Sequence, residues 1–305
     1  MGRVGSSIKI TTGLYLLASQ ALPGLCEEHY SKSDFTSDIY NPQFSARQME
    51  ELEEKRMTTI SRLFEEKKTS WWDVFDASEI GRERKIIASR YIAPNSEVLD
   101  VGCGRGFFSF ACSRRASHVT ALDLMNGKGR TGWWDEFLQT AALLKMTRRV
   151  SGIRAGAAHL PLEGGSFDAV TSVHAIRNFE EADELELFIS ESARVLKRGG
   201  RFVLAESDFE SNGFRAYKEF YAMRIKIGWE MRIPPSREIV SILRKNGFSK
   251  IRQTILDLRL KYAPVYFPLG QAKLKGLAKR YSHAKRLLIE EGEQHPPVSV
   301  ITALR

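Results

Sequence analysis

Residues 97–106, Glu-Val-Leu-Asp-Val-Gly-Cys-Gly-Arg-Gly, constrain the fold more than any other stretch of the chain. They read as an apolar strand that runs into glycines at alternate positions, Gly102, Gly104 and Gly106, and then into an apolar, helix-compatible segment from Phe107 to Cys112. A strand-to-helix turn of this kind has no side chains in the way. A ligand can lie against its backbone N–H groups at the positive end of a helix. The spacing is G-x-G-x-G, not the wider G-x-G-x-x-G that cradles a pyrophosphate.

Four further stretches follow in order. His118–Asp123 reads as a short strand ending in an acid, about 20 residues after the first glycine, where a carboxylate can accept from two ribose hydroxyls. Ala155–Leu162 ends in Leu-Pro-Leu, Ser166–Val170 opens a fourth strand that ends near Val173 and His174, and Ala193–Leu204 reads as helix, glycine turn and fifth strand. Together these stretches, over residues 96–206, resemble the motifs of class I S-adenosylmethionine-dependent methyltransferases, in the broad small-molecule "type 11" group whose Leu-Pro segment precedes Phe-Asp. The resemblance implies an α/β fold: a Rossmann-like, doubly wound sheet of seven strands in the order 3-2-1-4-5-7-6, the last antiparallel. It also implies S-adenosyl-L-methionine as cofactor.

Carried onto this sequence, the resemblance places the cofactor's methionine and ribose along Gly102, Cys103, Gly104 and Gly106, with Asp100 setting the turn and meeting the amino group. Asp123 would hold the ribose, and Leu124, Met125 and Ala157 would border adenine. The family's acid for the adenine amino group aligns with Gly156, a departure that weakens the expected cofactor contact. Ligands of open α/β sheets bind at the carboxyl ends of strands. His174 therefore faces the space between cofactor and acceptor, as the expected base or orienting residue, with Glu206 and Asp208 behind it. Ile176-Arg177-Asn178 partly resembles the Leu-Arg-Asn element of ubiquinone/menaquinone-type C-methyltransferases.

The chain has 305 residues and a net charge of +9, enough for one large α/β domain with additions. We divide it into an N-terminal helical extension or cap (1–92) and a methyltransferase domain (93–305) that contains a basic helical insertion (263–295) before the last strand. The basic excess belongs to the last third: between 250 and 286, Asp257 is the one acid among the Lys and Arg residues. Such a field suits an anionic partner, RNA or a membrane surface, or is a solvated helical face. Cys26, Cys103 and Cys112 cannot pair completely, which points to a reducing, cytoplasmic setting, and their spacing offers no metal site. Ile10–Ala18 is a modest apolar run, read as a helix over the substrate face in preference to a signal peptide.

Ser45 to about Lys68 has a helical apolar stripe, and Ser78 caps a second helix that ends before Pro94. Between them, Trp71-Trp72 either lines a roof over the active site or anchors a helix junction. Asn126–Gly132 reads as a flexible basic loop, either an insertion or a cover for adenosine. Later elements are helices over 214–230 and Ser236–Lys245, a strand from about Ile251 to Leu260, a basic helical stretch within Leu269–Glu291, and a final strand Val298–Leu304.

Three functions stay open: a methyltransferase for a small-molecule acceptor, an RNA methyltransferase using the basic region, and a catalytically silent binding protein. The second lacks an Asn-Pro-Pro-Tyr-type motif and a cysteine pair for cytosine attack. The third is suggested by Gly156.

Overall fold

The computed structural model describes residues 70–125, 133–179, 183–208, 214–226, 233–260, 276–291 and 295–305. The expected N-terminal helices before residue 70, the loop 126–132 and residues 261–275 of the basic region lie outside these.

Seven strands form one sheet: β1 (Glu97–Val101), β2 (His118–Leu122), β3 (Val150–Ile153), β4 (Phe167–Val173), β5 (Leu196–Ser207), β6 (Ser249–Leu256) and β7 (Val298–Leu304). Their order is β3-β2-β1-β4-β5-β7-β6, the doubly wound order expected from the sequence. β1 pairs in parallel with both β2 and β4, while β7 runs antiparallel between β5 and β6. The strand order therefore reverses at β1 and β4, and the crevice of an open α/β sheet forms at their carboxyl ends.

Helices cover both faces. α1 (Trp71–Ala77), α2 (Glu79–Tyr91), α3 (Phe107–Ser113) and α4 (Trp133–Leu143) lie on one, α5 (Glu184–Val195) and α7 (Ser236–Lys245) on the other. With helices on both sides, the central strands read as nearly unbroken apolar runs. Phe75, Ile87, Phe110 and Phe137 fill the first core layer, and Phe188, Phe202 and Leu243 the second. A third cluster joins α6 (Arg215–Lys226) to α8 (Ala278–Glu290) through Tyr217, Phe220, Leu287 and Leu288. α8 is the described part of the expected basic insertion. It packs on α6 and leaves Lys279, Lys285 and Arg286 exposed.

Two boundaries differ from expectation. β5 begins at Leu196, before the glycine turn, because that turn is an outward bulge: Phe167 pairs with Leu196 and Ala169 with Arg201. β6 stops at Leu256, and Arg259, at φ 47°, has left the extended region. The described part of the predicted extension is integral to the core. Trp71 stacks on Phe75 at 4.9 Å and meets Phe110 edge-on at 5.7 Å, so it anchors the helix junction, while Trp72 lies under Arg114.

That junction is tight. Ser78 caps α2 by accepting from the Gly81 N–H at 2.9 Å, as read from the sequence. A Cβ on Gly81 would fall 1.7 Å from the Phe75 carbonyl oxygen, a backbone atom that cannot rotate away. Gly81→Ala is expected to lower stability by about 1–3 kcal/mol through overpacking, measured by urea denaturation. An unchanged midpoint would show that the junction opens at no cost.

Candidate active site

The glycine turn occupies the crevice at the end of β1. Gly102, Gly104 and Gly106 all have positive φ (75°, 53° and 83°), and a Cβ on Gly102 would sit 2.2 Å from Ala175 Cβ on the far side of the crevice. Only glycine fits that approach.

The amides of the turn are spent within the fold, against the expectation of bare N–H groups. Gly102 and Cys103 N–H donate to Leu122 O at 2.7 and 3.1 Å, and Gly106 N–H donates to Cys103 O. Gly104 N–H donates to Asp123 Oδ2 at 2.9 Å, and Asp123 Oδ1 accepts from Met125 N–H at 2.8 Å. The turn thus presents α-carbon surface in place of an anion nest. That suits a cofactor with a cationic sulfonium and no phosphate. Each oxygen of Asp123 can accept a second hydrogen bond, so it keeps capacity for ribose hydroxyls. Leu124 is exposed beside it, Met125 and Ala157 are buried, and a Cβ on Gly156 would meet nothing within 4 Å. These residues fit S-adenosylmethionine.

Asp100 is placed differently from its expected role. It is 1% exposed, beneath the turn, and its carboxylate accepts from Ser109 Oγ at 2.5 Å and Thr171 Oγ1 at 3.1 Å. It ties β1 to α3 and β4 and does not line the crevice. Burial raises its pKa to about 6, against the two hydroxyl donors. Burial also raises the Cys103 thiol well above its usual value, with Asp100 and Asp123 adding to the effect, so the thiol stays protonated. A second tie was not legible in sequence: Arg105 Nε donates to Glu136 Oε2 of α4 at 2.8 Å, both side chains under 10% exposed. It ties the turn to α4.

Across the crevice, β4 leads directly into His174, whose φ of 55° is unusual for a residue with a Cβ. Its ring meets a carboxylate on each side: Nε2 lies 2.8 Å from Glu83 Oε1 of α2, and Nδ1 lies 2.9 Å from Glu206 Oε1 at the end of β5. Arg177 Nη2, from a 3-10 turn over Ile176–Asn178, is 2.7 Å from Nδ1 and also donates to Glu206 Oε1. Burial, helped by Arg84 and Arg177, lowers the His174 pKa to about 4. Burial alone would raise that of Glu206, but Arg177 and His174 outweigh it and bring it to about 2. His295 crosses the His174 ring at 90° with centroids 6.4 Å apart, and burial lowers its pKa to about 3.

With both ring nitrogens engaged, His174 is placed to orient its neighbours and has no lone pair open for an acceptor's proton. Glu206 Oε2, by contrast, is buried without a hydrogen-bond partner among the described residues. Glu206 also lines a cavity of about 280 Å3, together with Asp208, Leu204, Tyr221, Pro235 and Ile239. The structure thus brings His174, Glu206 and Asp208 to one sheet edge. Sequence reading missed Glu83, although a signal was present. It falls three residues after Ile80 and four before Ile87, on the buried stripe of α2.

The buried histidines have a pH consequence. Both pKa values are depressed, so the neutral forms favour folding above about pH 6.5, and that contribution is lost as pH falls toward 4. Each adds a slope of up to about 1.4 kcal/mol per pH unit. His295→Gln is expected to flatten the fall in urea midpoint between pH 6.5 and 4.5. An unchanged slope would mean that His295 titrates as it does when unfolded.

The comparisons with known proteins agree with this geometry. Residues 99–204 match a family model described as a methyltransferase domain. A ubiquinone/menaquinone biosynthesis C-methyltransferase of Rhizobium rhizogenes is 29% identical over 182 residues, which span 53% of this chain and 67% of that protein. Among solved structures, the YcgJ protein of Bacillus subtilis superposes with a TM-score of 0.52 at 18% identity, covering 73% of this chain and 98% of that one. A geranyl diphosphate methyltransferase in complex with SAM gives a TM-score of 0.52 at 16% identity, covering 88% and 94%. These two share the fold. Residues 99–204 are thus a methyltransferase domain by their family match, set in the doubly wound sheet order of the class I S-adenosylmethionine-dependent methyltransferase fold.

Proposed function

We propose that the enzyme methylates a small, largely apolar acceptor bearing one hydrogen-bond-donating group, held in the cavity beside Glu206. Bound S-adenosylmethionine supplies a methyl group on a sulfonium whose leaving group is already good, so alignment of the acceptor and exclusion of water carry much of the catalysis. The observation behind this reading is Glu206 itself: one oxygen is held by Arg177, the other is unpartnered, and the side chain borders an apolar cavity. A buried acceptor atom without a partner is costly. A hydroxyl on the acceptor would satisfy it.

With a pKa near 2, Glu206 stays ionised and orients such a hydroxyl; it is too weak a base to remove its proton. Asp208 borders the same cavity, and His174 holds the arrangement from behind. Asp123 takes the ribose, Gly102, Cys103, Gly104 and Gly106 take the methionine side, and Leu124, Met125 and Ala157 border adenine. The similarity to a ubiquinone/menaquinone biosynthesis C-methyltransferase supports a quinone-type acceptor. An RNA acceptor draws less support, because among the described residues of 250–286 the exposed cations are divided between β6 (Lys250, Arg252), Arg259 and α8, and Arg280 pairs with Glu219. No helix among the described residues is long and apolar enough to cross a membrane. The two described cysteines are buried and not disulfide-linked, which suits the cytoplasm.

Calorimetric titration with S-adenosylhomocysteine tests the cofactor side. Micromolar binding is expected, weakened at least about tenfold in Asp123→Ala by loss of charge-assisted hydrogen bonds. Gly156→Asp, which has room for its side chain, is expected to tighten binding by about tenfold on the same scale. Transfer of labelled methyl to a substituted hydroquinone, and not to transcribed RNA, is the outcome expected of the acceptor. Label on RNA alone would overturn the reading.

A further inference from the structure

We propose that Glu83 is a positioning residue of the methyl-transfer site: its carboxylate decides which ring nitrogen of His174 carries hydrogen, and so keeps Arg177 on Glu206. This role rests on the reading of the Glu206 cavity as the acceptor site. Glu83 belongs to α2, ahead of the first strand, and is 0% exposed. Arg84 pairs with the same Oε1 that lies 2.8 Å from His174 Nε2, so Glu83 is held as an anion. An ionised carboxylate only accepts. Nε2 must therefore be the donor.

The Arg177 contact, the shorter of the two at Nδ1, agrees with that tautomer. A neutral ring with hydrogen on Nε2 leaves a lone pair on Nδ1, where Arg177 Nη2 donates at 2.7 Å. The second hydrogen of Nη2 serves Glu206 Oε1. The opposite tautomer would gain one attraction, Nδ1–H to Glu206 Oε1 at 2.9 Å, but would aim the Nε2 lone pair at the Glu83 anion and an N–H at the Arg177 cation. The charged and titratable groups around the ring are Glu83 and Arg84 of α2, Arg177 of the 3-10 turn, Glu206 of β5 and His295 ahead of β7. His295 is neutral and places Nδ1 on the Pro296 carbonyl at 2.8 Å. Its orientation leaves the choice to Glu83.

The consequence reaches the cavity. Without Glu83, hydrogen on Nδ1 can be given directly to Glu206 Oε1, which is already 2.9 Å away. The ring then competes with Arg177 for that oxygen, and the carboxylate that faces the acceptor loses its fixed orientation.

The test is two-bond proton–nitrogen NMR on the full chain labelled at histidine with nitrogen-15, with the His174 signals assigned by their loss in His174→Gln. Wild type is expected to show Nε2 protonated and Nδ1 unprotonated. Glu83→Gln keeps a carbonyl acceptor at the site and should retain that pattern. Glu83→Leu should move the hydrogen to Nδ1, with S-adenosylhomocysteine affinity changed less than about twofold, since α2 makes no part of the cofactor turn. A wild-type ring protonated on Nδ1 would overturn the proposal with no variant needed. So would a Glu83→Leu ring that keeps hydrogen on Nε2. Absence of S-adenosylhomocysteine binding by wild type would instead sink the methyl-transfer reading, and is seen separately from the ring spectrum.

Discussion

Burying a carboxylate is costly unless donors replace the water it loses, and this fold buries several of them at or under one edge of its sheet. Asp100, Asp123, Glu83 and Glu206 are each 8% exposed or less. The donors vary: hydroxyls for Asp100, backbone amides for Asp123, an imidazole and a guanidinium for Glu83, and a guanidinium and a backbone amide for Glu206. The donors come from α2, α3, β4, the 3-10 turn and the glycine turn. Satisfying the carboxylates therefore forces those elements into register with one another, and the crevice between β1 and β4 is what remains.

The same accounting explains the glycine turn. Strand-to-helix turns that hold phosphates keep their amides pointing at the ligand. Here the amides of Gly102, Cys103, Gly104 and Gly106 are used on Leu122, Asp123 and Cys103 itself. A turn so occupied is stiff without a ligand, braced from β2 and by the Arg105–Glu136 pair. It can meet a sulfonium without bringing a field of N–H dipoles against it. The groups left with spare hydrogen-bonding capacity beside it are few, Asp123 among them.

How much of this was legible in the sequence follows from the range of each interaction. The sheet was legible, because apolar strands and glycine turns are local patterns and their order came with the resemblance. The position of Asp123 beside the glycine turn was legible because it directly follows a strand. The polar residues of the site were half legible: His174, Glu206 and Asp208 stand at strand ends, where topology says a ligand lies. Their partners were not. Glu83 reaches His174 from 91 positions away, and Arg105 meets Glu136 from 31. No spacing rule ties such pairs together. Asp100 misled for the opposite reason, since it also stands near a strand end but alternates to the side where Ser109 and Thr171 wait.

The strained backbone at His174 belongs to the same account. A residue with a Cβ at φ 55° costs on the order of 1 kcal/mol, and a relaxed strand end would avoid it. The left-handed turn lets the His174 N–H bond Ala205 O at 2.9 Å while the ring swings between Glu83 and Glu206. A hydrogen bond to a charged group is worth about 1.5–3 kcal/mol, so the ring's contacts outweigh the backbone strain. The balance holds only while both carboxylates are present. That makes α2, which lies outside the strands and turns that define the cofactor fold, part of what keeps the acceptor side of the site in shape.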